Sequence, residues 1–181
     1  MHAAFLRNVM VGRAGLTRAV LEDAFRDCGA SFAESFLATG NIVFEAAALP
    51  AGRVAECAAR RLRQGLGLRE PFFVWSLGDL EALQAAKPFS AAPAGDLHER
   101  TVSFFDELAR PLPPLPIRSQ RGDCEVFLLG ERAAYSVTWL IDGRTGSPGK
   151  LLEDLGSTSV TTRNWKTIER LVHRYGPSTS A

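Results

Sequence analysis

Apolar residues change period repeatedly along this chain, and each change marks an element. His2–Arg7 is a short apolar run that predicts a strand. Leu16, Val20, Leu21, Ala24, Phe25 and Cys28 share one face of a helix that Gly29 ends. Ser31–Leu37 and Ile42–Glu45 read as strands around Ala38-Thr39-Gly40-Asn41, a hairpin signal. Val54, Cys57, Ala58 and Leu62 set the buried stripe of a second helix over Arg53–Gly65. Phe72–Trp75 predicts a strand, and Ser76 with Asp79 forms a capping box for a helix through Ala86. The order is β-α-β-β-α-β-α.

The second half repeats much of that order. Thr101–Asp106 predicts a strand. Where a first helix is due, Pro111-Leu112-Pro113-Pro114-Leu115-Pro116 excludes a helix interior and predicts an extended connection or a short distorted turn. Glu125–Leu129 and Ala133–Trp139 are strands around Gly130-Glu131. Pro148–Leu155 is a short helix with Pro148 first and Gly156 as its stop. Ser157–Thr161 predicts a short strand. Asn164–Tyr175 is a helix with Trp165, Ile168, Leu171, Val172 and Tyr175 at helical spacing, ended by Gly176-Pro177-Ser178. The pattern predicts an α+β fold of two ferredoxin-like βαββαβ units, an internal duplication with antiparallel sheets and helices on one face. Pro, Ala, Gly and Asp accumulate over Pro88–Glu99, which places the division at 1–90 and 91–181.

At 181 residues and 46% hydrophobic, the chain has enough apolar material for packed cores. No apolar run approaches the ~20 residues of a membrane span. Met1–Arg7 has neither a charged n-region nor a long apolar stretch, so a cytoplasmic location is expected. Cys28, Cys57 and Cys124 have no metal-ligand spacing. Buried, inert thiols are expected of them, rather than a disulfide framework or a zinc site. The net charge of +1 provides no bulk electrostatic footprint for nucleic acid. Lysine is scarce beside arginine, and two of the three lysines, Lys150 and Lys166, fall in the segments that carry candidate chemistry.

In a split βαββαβ unit, the loop after the first strand and the hairpin between the second and third strands lie at one end of the sheet. The connections after the third and fourth strands lie at the other end. The first pair here is Arg7–Gly12 with Thr39-Gly40-Asn41. The second is Asp142–Lys150 with Thr162–Trp165. Ser147 can cap the Pro148 helix, whose start offers the N–H groups of Gly149 and Lys150 and the Lys150 ammonium to an anion. The spacing is not that of a P-loop. In Thr161-Thr162-Arg163-Asn164-Trp165-Lys166-Thr167, Thr162 or Asn164 can cap the last helix, and the Arg163 fork suits a carboxylate or phosphate. Lys166, Arg170 and Arg174 recur every four residues as a basic stripe. His2, His98 and His173 have no carboxylate or nucleophile partner in sequence, and no nucleophile elbow or metal triad occurs.

Leu6-Arg7…Val11-Gly12, Thr39-Gly40-Asn41-Ile42-Val43-Phe44, Lys87-Pro88-Phe89, Gly149-Lys150-Leu151-Leu152 and Thr162-Arg163-Asn164-Trp165-Lys166-Thr167 follow one another in an order that resembles the domain of unknown function 1697 family. The likeness runs from Phe5 to about Tyr175. It implies a cytoplasmic bacterial α+β protein of duplicated ferredoxin-like architecture, and it implies no activity. Two positions of the first motif depart from the family pattern: Asn8 stands where Gly is usual and Met10 where Asn is usual. Lys87 likewise replaces an Asn.

The sequence therefore points to a binding module for a phosphate- or carboxylate-bearing small molecule. Its expected site is Lys150, Gly149, Arg163, Asn164 and Trp165, with Arg7 and Asn41 as further candidates. No metal, cofactor or membrane is expected. Single-stranded nucleic acid is the alternative partner; the near-zero charge and the lack of a basic-aromatic strand pattern disfavour it. An enzyme acting on an anionic substrate, with Asp142 or a lysine as acid or base, and a structural or protein-interaction role are further alternatives. Neither a reaction nor an oligomeric state is read from the sequence.

Overall fold

The computed structural model describes residues 1–156 and 158–176. The fold is mixed α+β with two antiparallel sheets. The chain divides into two compact units. One is Met1–Glu81 together with the chain from Leu171; the other is Ala82–Arg170.

The first unit contains β1 (His2–Leu6), α1 (Arg18–Arg26), β2 (Ala30–Phe36), β3 (Asn41–Ala46), α2 (Ala51–Leu66), β4 (Phe72–Ser76) and the start of α3 (Leu77–Ala85). The sheet order is β2-β3-β1-β4, with every pair antiparallel. Hydrophobic period explains the packing. Leu21, Ala24 and Phe25 of α1 and Val54, Ala58 and Leu62 of α2 share one buried cluster with Ala4, Leu6, Ile42 and Phe44 of the sheet. Val20 lies off that stripe and is exposed. Thr17 caps α1, its Oγ1 accepting from the Val20 N–H at 3.2 Å. The Ser76 hydroxyl likewise accepts from the Asp79 N–H at 3.0 Å and starts α3.

The loop after β1 meets the β2–β3 hairpin, as the topology requires. The Leu6 N–H donates to the Gly40 carbonyl at 2.7 Å and the Val11 N–H to the Ala38 carbonyl at 2.8 Å. Gly40 has φ +70°, and a Cβ there would stand 2.5 Å from Val9 Cγ2, so only glycine fits. Asn8 has φ +51°. Asparagine is among the few side-chain-bearing residues that adopt this left-handed conformation readily, so it can stand where the family has glycine.

One expectation is overturned in this unit. Cys28 and Cys57 are joined in a disulfide, with Cα atoms 5.8 Å apart. The apolar helix-face patterns around both residues predict inert thiols. α1 and α2 pack side by side on one face of the sheet and bring those two faces together. Cys124 alone is free, and it is buried.

The second unit contains β5 (Glu99–Phe104), β6 (Ile117–Arg118), β7 (Cys124–Leu129), β8 (Ala133–Thr138), α4 (Pro148–Gly156), β9 (Thr161–Asn164) and the start of α5 (Trp165–Tyr175). Its sheet order is β6-β7-β8-β5-β9. Without β6, this is the order of the first sheet. No helix occupies the proline-rich stretch, and the short edge strand β6 follows directly after it. Leu152 of α4 packs with Phe105, Ile117, Val126, Ala134 and Val160.

The last strand also differs from expectation. It runs Thr161–Asn164, not Ser157–Thr161, and passes directly into α5; Ser157 itself, like Pro177 and Ser178, lies outside the described residues. Residues of α5 up to Arg170 belong to this unit, and those from Leu171 to the first. There Arg174 pairs with Glu34 at 2.6 Å and Tyr175 meets Phe36 edge-on at 5.9 Å. A division at residues 90 and 91 assigns this helix end to the second unit, whereas its partners are on β2. Among the described residues no helix is long and apolar enough to cross a membrane.

Candidate functional site

The junction of β9 with α5 positions the candidate site. β9 pairs antiparallel with β5, which sets Asn164 opposite Thr101 and Thr162 opposite Ser103. Side chains two residues apart on a strand share a face, so Glu99 joins Thr101, Ser103, Thr162 and Asn164 on one side of the sheet. Asn164 is the last residue of the strand and the cap of the helix. Its Oδ1 accepts from the Lys166 N–H at 3.0 Å, and its Nδ2 donates to Glu99 Oε1 at 3.4 Å. The first turn of α5 carries no acidic residue. The positive end of the helix is therefore not neutralised within its own first turn.

This junction opens on a cleft of about 520 Å³, lined by Gly95–Arg100, Asn164, Trp165, Lys166 and Glu169. Trp165 is only 6% exposed. Its ring packs 5.2 Å from Phe89 and 5.9 Å from Tyr135, and Phe89 also meets Phe127. The Arg100 guanidinium lies over the Phe89 ring, 5.9 Å from its centre. Phe89 belongs to the Lys87-Pro88-Phe89 motif and Trp165 to the last motif, so the fold brings these two distant pieces together. Around this rigid aromatic base the cleft presents both signs of charge: Arg100 and Lys166 against Asp96, Glu99 and Glu169.

Of the seven residues expected in the site, Asn164 and Trp165 line the cleft. Arg163 does not. It is 8% exposed, and its guanidinium donates to Thr161 Oγ1 at 2.9 Å and to the Thr162 carbonyl at 2.8 Å. Burial pushes it down to about 10 from the usual value. Lys150 is exposed and pairs with Asp154 at 3.2 Å, one helical turn on. Ser147 caps its N–H at 3.3 Å. Arg7 and Asn41 belong to the first unit, the other five to the second. Arg7 pairs with Glu70 at 2.8 Å. Asn41 is fully buried and donates to the Phe36 carbonyl at 2.9 Å and to Thr39 Oγ1 at 3.0 Å, which holds the hairpin closed.

Gly149 has a packing task. A Cβ there would stand 2.7 Å from Thr162 Oγ1. That hydroxyl is held by Ser103 Oγ at 2.8 Å and cannot swing away without breaking the bond. Glycine to alanine inside a helix ordinarily stabilises by up to about 1 kcal/mol. Here the contact reverses the sign. Gly149→Ala is expected to cost about 1–2 kcal/mol in urea denaturation. In a Thr162→Ala background the same change becomes neutral or stabilising, and the double-mutant cycle measures the contact.

The residues missed from sequence are Asp96, Glu99, Arg100 and Glu169. The stretch up to Glu99 reads as a boundary because of its Pro, Ala and Gly content. Only the β5–β9 register shows that it flanks the start of α5. Among the described residues no cluster of three or more His, Cys, Asp or Glu side chains could hold a metal ion.

The family described as "Protein of unknown function (DUF1697)" matches residues 1–135. The chain belongs to this family. The matched stretch contains the Arg7 loop, the Gly40 hairpin and Lys87-Pro88-Phe89, while the Gly149 and Asn164 motifs lie beyond it. Among solved structures, a conserved bacterial protein from Streptococcus pneumoniae is similar, with a TM-score of 0.61 and 18% identity. The similarity covers 95% of this chain and 96% of that one, and it concerns the fold. No curated protein matches the chain.

Proposed function

We propose that this family member binds a small molecule through a carboxylate or phosphate group, in the cleft at the start of α5. One observation carries the reading: a helix N-terminus without acidic residues in its first turn opens, beside Lys166 and Arg100, onto a cleft of about 520 Å³. The first turn of any helix has N–H groups without intrahelical partners, and the Asn164 cap takes one of them. The rest, with the helix dipole and the two cations, favour an anion. Trp165, fixed by Phe89 and Tyr135 and only 6% exposed, adds a small rigid apolar edge to the lining. This reading keeps Asn164 and Trp165 as binding residues, adds Lys166 and Arg100, and leaves Arg163, Lys150, Arg7 and Asn41 to the roles described above.

Calorimetry and thermal-shift titrations with inorganic phosphate, small carboxylates and nucleoside monophosphates test it. A saturable interaction is expected with at least one of these classes. Lys166→Ala and Arg100→Ala should each weaken it about tenfold, the loss of one charge-assisted hydrogen bond. Lys150→Ala should leave it unchanged. No heat and no shift in melting temperature across the panel would remove the reading.

A further inference from the structure

The acidic side of the cleft is not explained by an anionic ligand alone. Asp96, Glu99 and Glu169 line the same space as Lys166 and Arg100, and a purely anionic ligand would be repelled by them. We infer that the ligand is a zwitterion of the α-amino acid class, with its carboxylate on the first turn of α5 and its ammonium on Glu99. The inference rests on the anion-binding reading of the same cleft and deepens it.

Asn164 supplies the geometry. The two ends of its carboxamide hold the two groups concerned: Oδ1 accepts from the Lys166 N–H at 3.0 Å, and Nδ2 donates to Glu99 Oε1 at 3.4 Å. A positive helix end and a negative carboxylate thus lie within the span of one amide group. In an α-amino acid the opposite charges are likewise separated by a single carbon. Few ligands with more widely spaced charges could satisfy both ends at once. The long contact from Asn164 leaves Glu99, an exposed side chain, with capacity for a stronger charge-assisted partner.

Thr138 marks the buried side of Glu99. It stands directly opposite Glu99 in the β5–β8 register and so shares its face of the sheet. It is 1% exposed, and its hydroxyl has no hydrogen-bond partner. A buried unsatisfied hydroxyl is costly. Thr138 lies outside the lining of the cleft, so its hydroxyl is no contact of the ligand. Leu97 and Trp165, both in the lining, favour an apolar side chain on the amino acid.

The test is calorimetry with leucine, with isocaproate (leucine without its ammonium) and with isoamylamine (leucine without its carboxylate). Leucine is expected to bind at least tenfold more tightly than either analogue. Glu99→Gln should erase the preference for leucine over isocaproate: leucine loses its ammonium partner, and isocaproate, relieved of the repulsion, should bind at least as tightly as to wild type. Glu169→Gln should reduce it less. Isocaproate binding as tightly as leucine, or a preference that survives Glu99→Gln, overturns the zwitterion and leaves the anion site standing. Failure of every anion to bind, leucine and isocaproate included, overturns both. Glu99 is exposed at the start of its strand, so the variant keeps the fold; its melting temperature checks this.

Discussion

Reducing the Cys28–Cys57 disulfide lowers the stability of the protein by about 3–4 kcal/mol at 25 °C. The bridge closes a loop with a sequence separation of 29. The chain-entropy relation for a loop of that size gives about 3.6 kcal/mol, as freedom restored to the unfolded chain. Little else replaces the constraint between these helices. The Arg61–Asp27 pair, at 3.2 Å, joins the same two elements, but both side chains are about half exposed and such a pair contributes at most about 1 kcal/mol. Cys28 also belongs to the buried cluster under α1 and α2, so Cys57→Ser, at the half-buried partner, is the cleaner genetic test. Denaturation in guanidinium with and without reductant should show the midpoint shift in wild type and none in Cys57→Ser. Thiol counting checks the covalent state. The denatured, unreduced protein should take one alkyl group, at Cys124, and the reduced protein three. In the native state Cys124 should not react at pH 8, because burial pushes its thiol up to about 12. Three adducts without reductant would show that the bridge is absent.

That bridge marks the limit of what sequence patterns convey. The helical stripes containing Cys28 and Cys57 were legible, because each is set by its own period of apolar residues. Their meeting depends on how two helices lie across a sheet, which no local period encodes. The strands of both sheets were legible for the same reason as the helices, with two exceptions, the two-residue β6 and the last strand. Thr161–Asn164 lacks the apolar alternation of a buried strand, and on one face its partners on β5, Thr101 and Ser103, are themselves polar. Thr162 bonds Ser103, Asn164 reaches Glu99, and Thr161 serves Arg163. A polar seam of this kind reads as a loop until the register is known. The cleft was half legible. Asn164 could be identified as a cap from its type and place, and Trp165 as an aromatic at the helix start. Glu99 and Arg100 could not be connected with them, because they are more than sixty positions away and join the site only through strand pairing.

Arg163 shows how a residue suited to ligand binding can be committed to structure, and replacing it should have a large effect. Its guanidinium is buried and remains charged at neutral pH, since the depressed value is still about 10. Arg163→Ala removes its bonds to Thr161 Oγ1 and the Thr162 carbonyl and leaves a void where the side chain lay. The expected loss is about 3 kcal/mol or more. Arg163→Met fills most of the space without a buried charge and should recover at least about 1 kcal/mol of that loss. The pH dependence has a definite sign. The folded pKa is below the unfolded value, so the unfolded chain holds this proton more tightly. The group's destabilising share is therefore full below about pH 10 and declines as pH rises above it, toward the higher unfolded value. Wild type should gain on Arg163→Met over that alkaline window. Ligand affinity separates this role from a binding one. Measured well below the melting temperature, Arg163→Met should bind the cleft ligand as wild type does, whereas Lys166→Ala should not. A loss of affinity in Arg163→Met without a loss of stability would return Arg163 to the site.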